Sequence, residues 1–309
     1  MFNLPPEHYE SNRLDLIAAL AGALREGSLA LLLGAGCSSG MNLLSWHEIA
    51  NVCSEEASRR WSDKKALLAT TFTGGTRAED LFSRMEFIRK LYGDDSAYLQ
   101  AIRGILYKNH PNGITGEPSD LLRAIGAMTI SSRRGSVQEV ISLNFDCLLE
   151  WYLGLHGMVT QVISRWPTLL GDADVNIYHP HGYLPVSSQY GDKSEMIIFD
   201  SAEVDKNISN QPAWRQVFKQ LITSRIILAV GLGGRDYLLR SLLYDAMSEV
   251  KKEKARPLGC WLCTKSVNEE TREQIRGRGF IVVSVDDKDE APKLLFDVCC
   301  EARDRMLRW

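Results

Sequence analysis

Two short runs, Leu29-Ala-Leu-Leu-Leu33 and residues 225–230, are apolar on both alternate faces over their lengths from Leu29 and Ile226, and each opens directly into glycines. The first continues as Gly34-Ala-Gly-Cys-Ser-Ser-Gly40 and the second as Gly231-Leu-Gly-Gly234. A strand with no polar face has to be covered on both sides, which a parallel sheet sandwiched between helices provides. The rest of the chain agrees. Residues 12–26 place Leu14, Ile17, Leu20, Ala21 and Leu24 at helical spacing before Gly27, and residues 45–60 repeat the pattern. Strand signals follow at 139–143, 159–164, 176–181, 196–199, 258–264 and Phe280–Val285, with helices at 213–223, 237–252, 269–276 and from Ala291. Strands alternating with helices predict an α/β fold with a parallel sheet and helices on both faces. Residues 1–309 read as a single domain. Residues 62–130 lack strand signals and predict a helical insertion lobe, with segments at 77–92, 95–108 and 119–128. The first ten residues read as a surface arm.

Composition narrows the class. Hydrophobic residues make up 45% and charged residues 24% of the chain, which excludes a disordered polymer. Thirty-six Lys+Arg against 39 Asp+Glu give a formal charge of −3, so no direct nucleic-acid binding is expected. No apolar run approaches the roughly 20 residues of a membrane span. The opening Met1-Phe-Asn-Leu-Pro-Pro carries no secretory signal pattern. Seven cysteines, an odd number, fit reduced thiols and a cytoplasmic setting better than a disulfide framework.

Four segments bear polar or glycine residues at strand ends, where α/β folds place ligands. Gly34, Ala35, Gly36, Cys37 and Ser38 lie between a strand and a helix, in the position of a phosphate cradle or of a simple tight turn. The acidic residue that a dinucleotide fold carries on its next strand is missing; that region reads as helix. Asn144 and Asp146 follow the strand at 139–143. One of them can cap the next helix, and the other then needs a different role. His179-Pro-His-Gly182 closes a further strand; 179 and 181 share a face of an extended chain. An imidazole beside a glycine turn is suited to general-base work. Gly231 and Gly233 form the second glycine loop, with Asp236 either beside it or capping the helix beyond.

In this order the segments resemble the sirtuin superfamily. Gly34-Ala35-Gly36-Cys37-Ser38 matches its Gly-Ala-Gly-x-Ser loop, and Leu143-Asn144-Phe145-Asp146 its Gln-Asn-x-Asp segment with leucine in place of glutamine. His181-Gly182 matches its catalytic His-Gly, and Gly231-Leu232-Gly233 its Gly-x-Ser loop with glycine in place of serine. The family's four-cysteine zinc module has no counterpart. The one Cys-x-x-Cys, Cys260-Trp-Leu-Cys263, lies in an apolar strand, so no metal site is expected. Leu44-Ser-Trp46, Asn144 to Glu150 and Gly231 to Asp236 look like the sirtuin-like proteins of bacterial anti-phage defence. The resemblance implies a Rossmann-type sheet, NAD as substrate and hydrolysis to nicotinamide and ADP-ribose. It also implies, as a partner, a HerA-type ATPase; a homo-oligomer is expected because an NAD-binding fold over residues 29–285 leaves regulation to other subunits.

By that resemblance Asn144 and His181 are catalytic, and Gly34, Ala35, Gly36, Cys37, Ser38, Asp146, Gly231, Gly233 and Asp236 bind NAD. Asp146 would hold the nicotinamide carboxamide, Asn144 would position water or the ribose hydroxyls, and His181 would be the base. Cleavage at the ribose develops oxocarbenium character, which an anionic or dipolar neighbour stabilises. Two other readings stand beside it: an NAD-dependent protein deacylase, and a catalytically silent NAD or ADP-ribose sensor.

Overall fold

A computed structural model describes residues 2–64, 78–130, 135–165, 168, 170–187, 196–199, 212–233, 239, 243, 256–285 and 289–306. Seven strands form one sheet: β1 (Leu29–Leu33), β2 (Glu139–Ser142), β3 (Thr160–Ile163), β4 (Val175–Tyr178), β7 (Ile226–Val230), β8 (Gly259–Thr264) and β9 (Phe280–Val285). Their order is β3-β4-β2-β1-β7-β8-β9, and each neighbouring pair is parallel. The predicted α/β sheet with helices on both faces is what the chain forms. A small antiparallel pair, β5 (Gly182–Tyr183) and β6 (Met196–Ile197), stands apart from it.

The apolar strands distribute their residues between two cores. Leu29, Leu31 and Leu33 of β1 enter one, Ala30 and Leu32 the other; β7 divides in the same way, Ile226, Leu228 and Val230 against Ile227 and Ala229. Each fully buried leucine or isoleucine contributes about 1.5–3 kcal/mol, so a polar residue anywhere in these runs would be costly. On the first face lie α2 (Arg13–Arg25), α6 (Asp120–Thr129), α7 (Leu148–Leu155) and α10 (Glu290–Met306). The second is covered by α8 (Pro212–Ser224) and α9 (Glu269–Gly277), through Trp214, Phe218, Ile222 and Ile275. The predicted helix at 237–252 lies almost wholly outside the described residues.

The stretch between β1 and β2 is helical where it is described. α3 (Trp46–Arg60) begins at a capping box, Ser45 accepting from the Glu48 N–H while the Glu48 carboxylate accepts from the Ser45 N–H. It packs with α4 (Ala78–Tyr92) and α5 (Asp95–Leu106), whereas α6 packs on α10 and α7. Leu81, Met85 and Ile88 are buried within the chain, so this apolar stripe of α4 is core and not a free surface.

The opening residues correct the expectation of a surface arm. α1 (Pro6–Ser11) lies against β9, with Phe2 and Tyr9 buried edge-to-face at 4.9 Å. Glu10 accepts the Val282 N–H at 3.0 Å and pairs with Arg276. Among the described residues β9 has only β8 as a sheet partner, and a carboxylate on its outer amide blocks further strand pairing there.

Candidate functional site

The sheet order reverses at β1: the chain proceeds from β1 to β2 on one side and later to β7 on the other. The carboxyl ends of strands flanking such a point form the crevice where parallel α/β sheets bind ligands. Gly34–Ser38 follow β1, Asn144 and Asp146 follow β2, and Gly231–Gly233 follow β7. Topology thus brings together segments more than a hundred residues apart.

The two glycine loops press on each other. A Cβ on Gly34 would lie 2.4 Å from the Leu232 side chain and 2.7 Å from the Gly231 carbonyl; one on Gly36 would lie 2.8 Å from the Gly231 Cα. Gly231 has φ +71°, and a Cβ there would come within 2.7 Å of the Cys37 nitrogen. These glycines are required by backbone-to-backbone packing before any ligand is considered. Their amides are largely used as well. Gly34 N–H donates to Val230 O, Gly36 N–H to Gly231 O, Cys37 N–H to Gly34 O and Ser38 N–H to Ala35 O, at 2.9–3.1 Å. The cradle expected from all five residues is therefore narrower in this conformation. Ala35 heads the short 3-10 turn Ala35–Cys37, so its N–H is one that a helical turn leaves without an internal acceptor. Ala35, Gly36 and Gly233 are exposed, and a Cβ on Gly233 would meet open space. Asp236 lies outside the described residues.

Ser38, Asn144 and Asp146 form one buried network. The Ser38 hydroxyl donates to Asp146 Oδ2 at 2.7 Å and accepts from Asn144 Nδ2 at 3.0 Å; the same carboxamide donates to Gly34 O at 3.1 Å. Asp146 Oδ1 accepts the Leu148 N–H at 3.1 Å, so Asp146, one residue before the N-cap Cys147, satisfies the first amide of α7. Burial raises the Asp146 carboxyl above its ordinary range, against the lowering pull of the bonds from Ser38 and Leu148. Asn144 is left with a buried Oδ1 that has no hydrogen-bond partner among the described residues. A buried acceptor in that state costs free energy until something donates to it.

The two histidines part company. The strand ends at Tyr178, and residues 179–181 turn; Pro180 lacks a donor and Gly182, at φ +98°, redirects the chain into β5. The spacing predicts a shared extended face for His179 and His181; the turn denies them one. His179 is fully buried between Asn144 O, 2.9 Å from Nδ1, and Glu150 Oε1, 2.7 Å from Nε2. His181 is buried against Trp46, whose ring stands edge-on at 4.7 Å. Trp46 also stacks on Phe145 at 4.9 Å and meets Phe199 at 5.0 Å, which ties His181 to the segment bearing Asn144 and Asp146. Gly182 is required at its place, since a Cβ would lie 2.3 Å from Met196 O.

Trp46, Phe145, Phe199 and Glu150 line or support the site without having been singled out by chemistry in the sequence. Trp46, Phe145 and Glu150 fall inside the quoted motifs; Phe199 carries no motif signal beyond its place in the strand at 196–199. Tyr107 was missed too. Its hydroxyl donates to Leu184 O and accepts the Cys147 N–H, joining the segment after β5 to the start of α7.

Cys37 is a packing thiol: its Sγ donates to Val230 O at 3.3 Å, and burial pushes it up to about 12, so no thiolate nucleophile forms near neutrality. Cys260 and Cys263 belong to the cores on opposite faces of the sheet. Two thiols separated by a sheet cannot share one ion, and no group of three or more metal-ligating side chains occurs among the described residues. Elemental analysis of the purified, chelator-washed protein is expected to find well under one zinc per chain. A stoichiometric, retained ion would contradict this and revive the deacylase reading.

Residues 138–283 match the family model of the SIR2-like domain. A solved structure described as "Structural Basis for the Mechanism and Regulation of Sir2 Enzymes" aligns with 95% of this chain and 98% of its own, at 13% identity and a TM-score of 0.48. No curated protein matches the sequence. The SIR2-like stretch contains Asn144, Asp146, His179, His181, Gly231 and Gly233, while the first glycine loop precedes it.

Proposed function

We propose that this chain hydrolyses NAD to nicotinamide and ADP-ribose. The observation that carries the reading is the Asn144 carboxamide. It is anchored through Nδ2 to Gly34 O and Ser38 Oγ, and its buried Oδ1 still lacks a donor among the described residues. An acceptor held in this way suits a water molecule or a ribose hydroxyl. Held from one side only, it is preorganised before substrate arrives, which is where electrostatic catalysis gains most. His181 takes the role of base toward that water or hydroxyl, inside an aromatic wall that limits water entry. Ala35, Gly36 and Gly233 offer the exposed backbone of the two loops to the pyrophosphate. Gly34, Cys37, Ser38 and Gly231 shape those loops from beneath. Asp146 then serves by fixing Ser38, and through it Asn144.

The SIR2-like stretch supports NAD as the substrate, and the motif pattern supports a defence effector that assembles as a homo-oligomer with a HerA-type ATPase. The test is incubation of the purified protein with NAD, alone and with an acylated peptide. Release of nicotinamide and ADP-ribose in equal amounts is the expected result. Formation of an acyl-ADP-ribose would assign a deacylase instead. Saturable NAD binding with no products, in the presence of the ATPase partner, would assign a sensor.

A further inference from the structure

Behind the Asn144 carboxamide lies a buried pair that the hydrolytic reading does not use. His179 has no solvent exposure and Glu150 is 9% exposed at its side chain. The His179 ring bridges Asn144 O and Glu150 Oε1 through its two nitrogens, at 2.9 and 2.7 Å. We propose that His179 is a positioning residue: an imidazolium, held by Glu150 at Nε2, that clamps the main-chain carbonyl of Asn144 from Nδ1. Its effect on turnover rests on the hydrolase reading above; the clamp itself does not.

The geometry decides the protonation. A peptide carbonyl only accepts, and an ionised carboxylate only accepts, so both ring nitrogens have to donate for both contacts to hold. Burial pulls the imidazolium down, but the Glu150 charge, its hydrogen bond and the Asn144 carbonyl outweigh that and raise His179 above its ordinary value. The other groups facing the ring are Asp146, whose charge acts in the same direction, and the Tyr183 ring at 5.0 Å. A buried ion pair of this kind is a poor source of stability, since desolvation offsets most of its attraction. Its cost is better explained by what it holds in register: the residue whose side chain reaches Gly34 and Ser38.

The sign of the pH dependence follows. His179 is raised, so the clamp is present below the folded-state value and is lost as pH rises through it. On deprotonation the remaining proton stays on Nε2, facing the carboxylate, because a charge-assisted bond is the stronger one. Nδ1 then turns a lone pair toward the Asn144 carbonyl and releases it. Glu150→Gln reverses that choice. The amide can donate to Nε2, the ring keeps its single proton on Nδ1, and the clamp to Asn144 survives at every pH.

The experiment combines pH profiles of NAD turnover with 15N spectra of the histidine side chains for wild type, Glu150→Gln and His179→Phe. Wild type should lose about tenfold in kcat on an alkaline limb, with KM little changed, as expected for a small displacement of a positioned group. Glu150→Gln should remove that limb, and His179→Phe should show the low kcat at all pH values. The spectra should give both His179 nitrogens protonated at pH 7 in wild type and the Nδ1–H tautomer in Glu150→Gln. Identical alkaline limbs in wild type and Glu150→Gln, or a neutral His179 in wild type at pH 7, would overturn the clamp. If His179→Phe fails to fold because it strands Glu150, the Glu150→Gln comparison still decides. Protein that never cleaves NAD would sink the hydrolase reading alone, because the nitrogen spectra need no substrate.

Discussion

Replacing His181 with glutamine is expected to lower the rate of nicotinamide release by about a hundredfold to ten-thousandfold, the usual contribution of a positioned general base. Glutamine is chosen because the His181 ring is buried against Trp46, and truncation to alanine would add a cavity to the chemical loss. The backbone at 181 depends little on the side chain: its carbonyl accepts the Ile198 N–H at 2.7 Å, and the turn is set by Pro180 and Gly182. Thermal unfolding should therefore shift by no more than a few degrees, the effect of about 1 kcal/mol in a chain of this size. Nicotinamide release and the unfolding midpoint are the two quantities to measure. Turnover equal to wild type, with an unchanged midpoint, would remove His181 from the reaction. A collapse of both together would make the ring a packing element of the Trp46 cluster.

Much of the sheet was legible because its information is local. β1 and β7 are apolar on both faces, and strands buried on two sides leave no alternative to helical cover. The N-terminal segment was misread because what holds it is not local. Phe2, Tyr9 and Glu10 look unremarkable among prolines and polar residues until Glu10 meets Arg276 and Val282, more than 260 residues away. The histidine pair failed for another reason. Period-two reasoning assumes an extended chain, and Pro180 with Gly182 ends the extension at Tyr178.

The site was legible as a set of positions and not as a set of contacts. Glycine loops after strands suggested open amides, but whether such loops face a ligand or each other depends on β1 and β7 being neighbours. Because they are, Gly34 and Gly36 meet Gly231 and their amides donate to Val230 O and Gly231 O, while the Cys37 and Ser38 amides are taken up by the loop's own turn. Residue types alone show that one helix terminus cannot need both Asn144 and Asp146. That Asp146 is the one that reaches the first amide of α7 required the geometry.

That division of labour gives the second large prediction. Asp146→Ala removes the acceptor for the Leu148 N–H and for the Ser38 hydroxyl at once, leaving two buried donors unpaired. Each costs about 1–3 kcal/mol, so a loss of stability of roughly 2–6 kcal/mol is expected, and turnover falls because Ser38 no longer holds Asn144 in place. Asn144→Ala takes away only donations to Gly34 O and Ser38 Oγ, and it also deletes the unpartnered Oδ1. Removing a donor together with an unpartnered acceptor should cost no more than about 1–2 kcal/mol. Turnover, however, should fall by about a hundredfold to a thousandfold, as for loss of a preorganised dipole beside a developing charge, with NAD affinity reduced much less. Chemical denaturation, kcat and NAD binding measured on both variants separate the two. If Asn144→Ala proves the less stable protein and keeps its turnover, the carboxamide is a structural strut between Gly34 and Ser38. The catalytic reading of the whole crevice then loses the observation on which it stands.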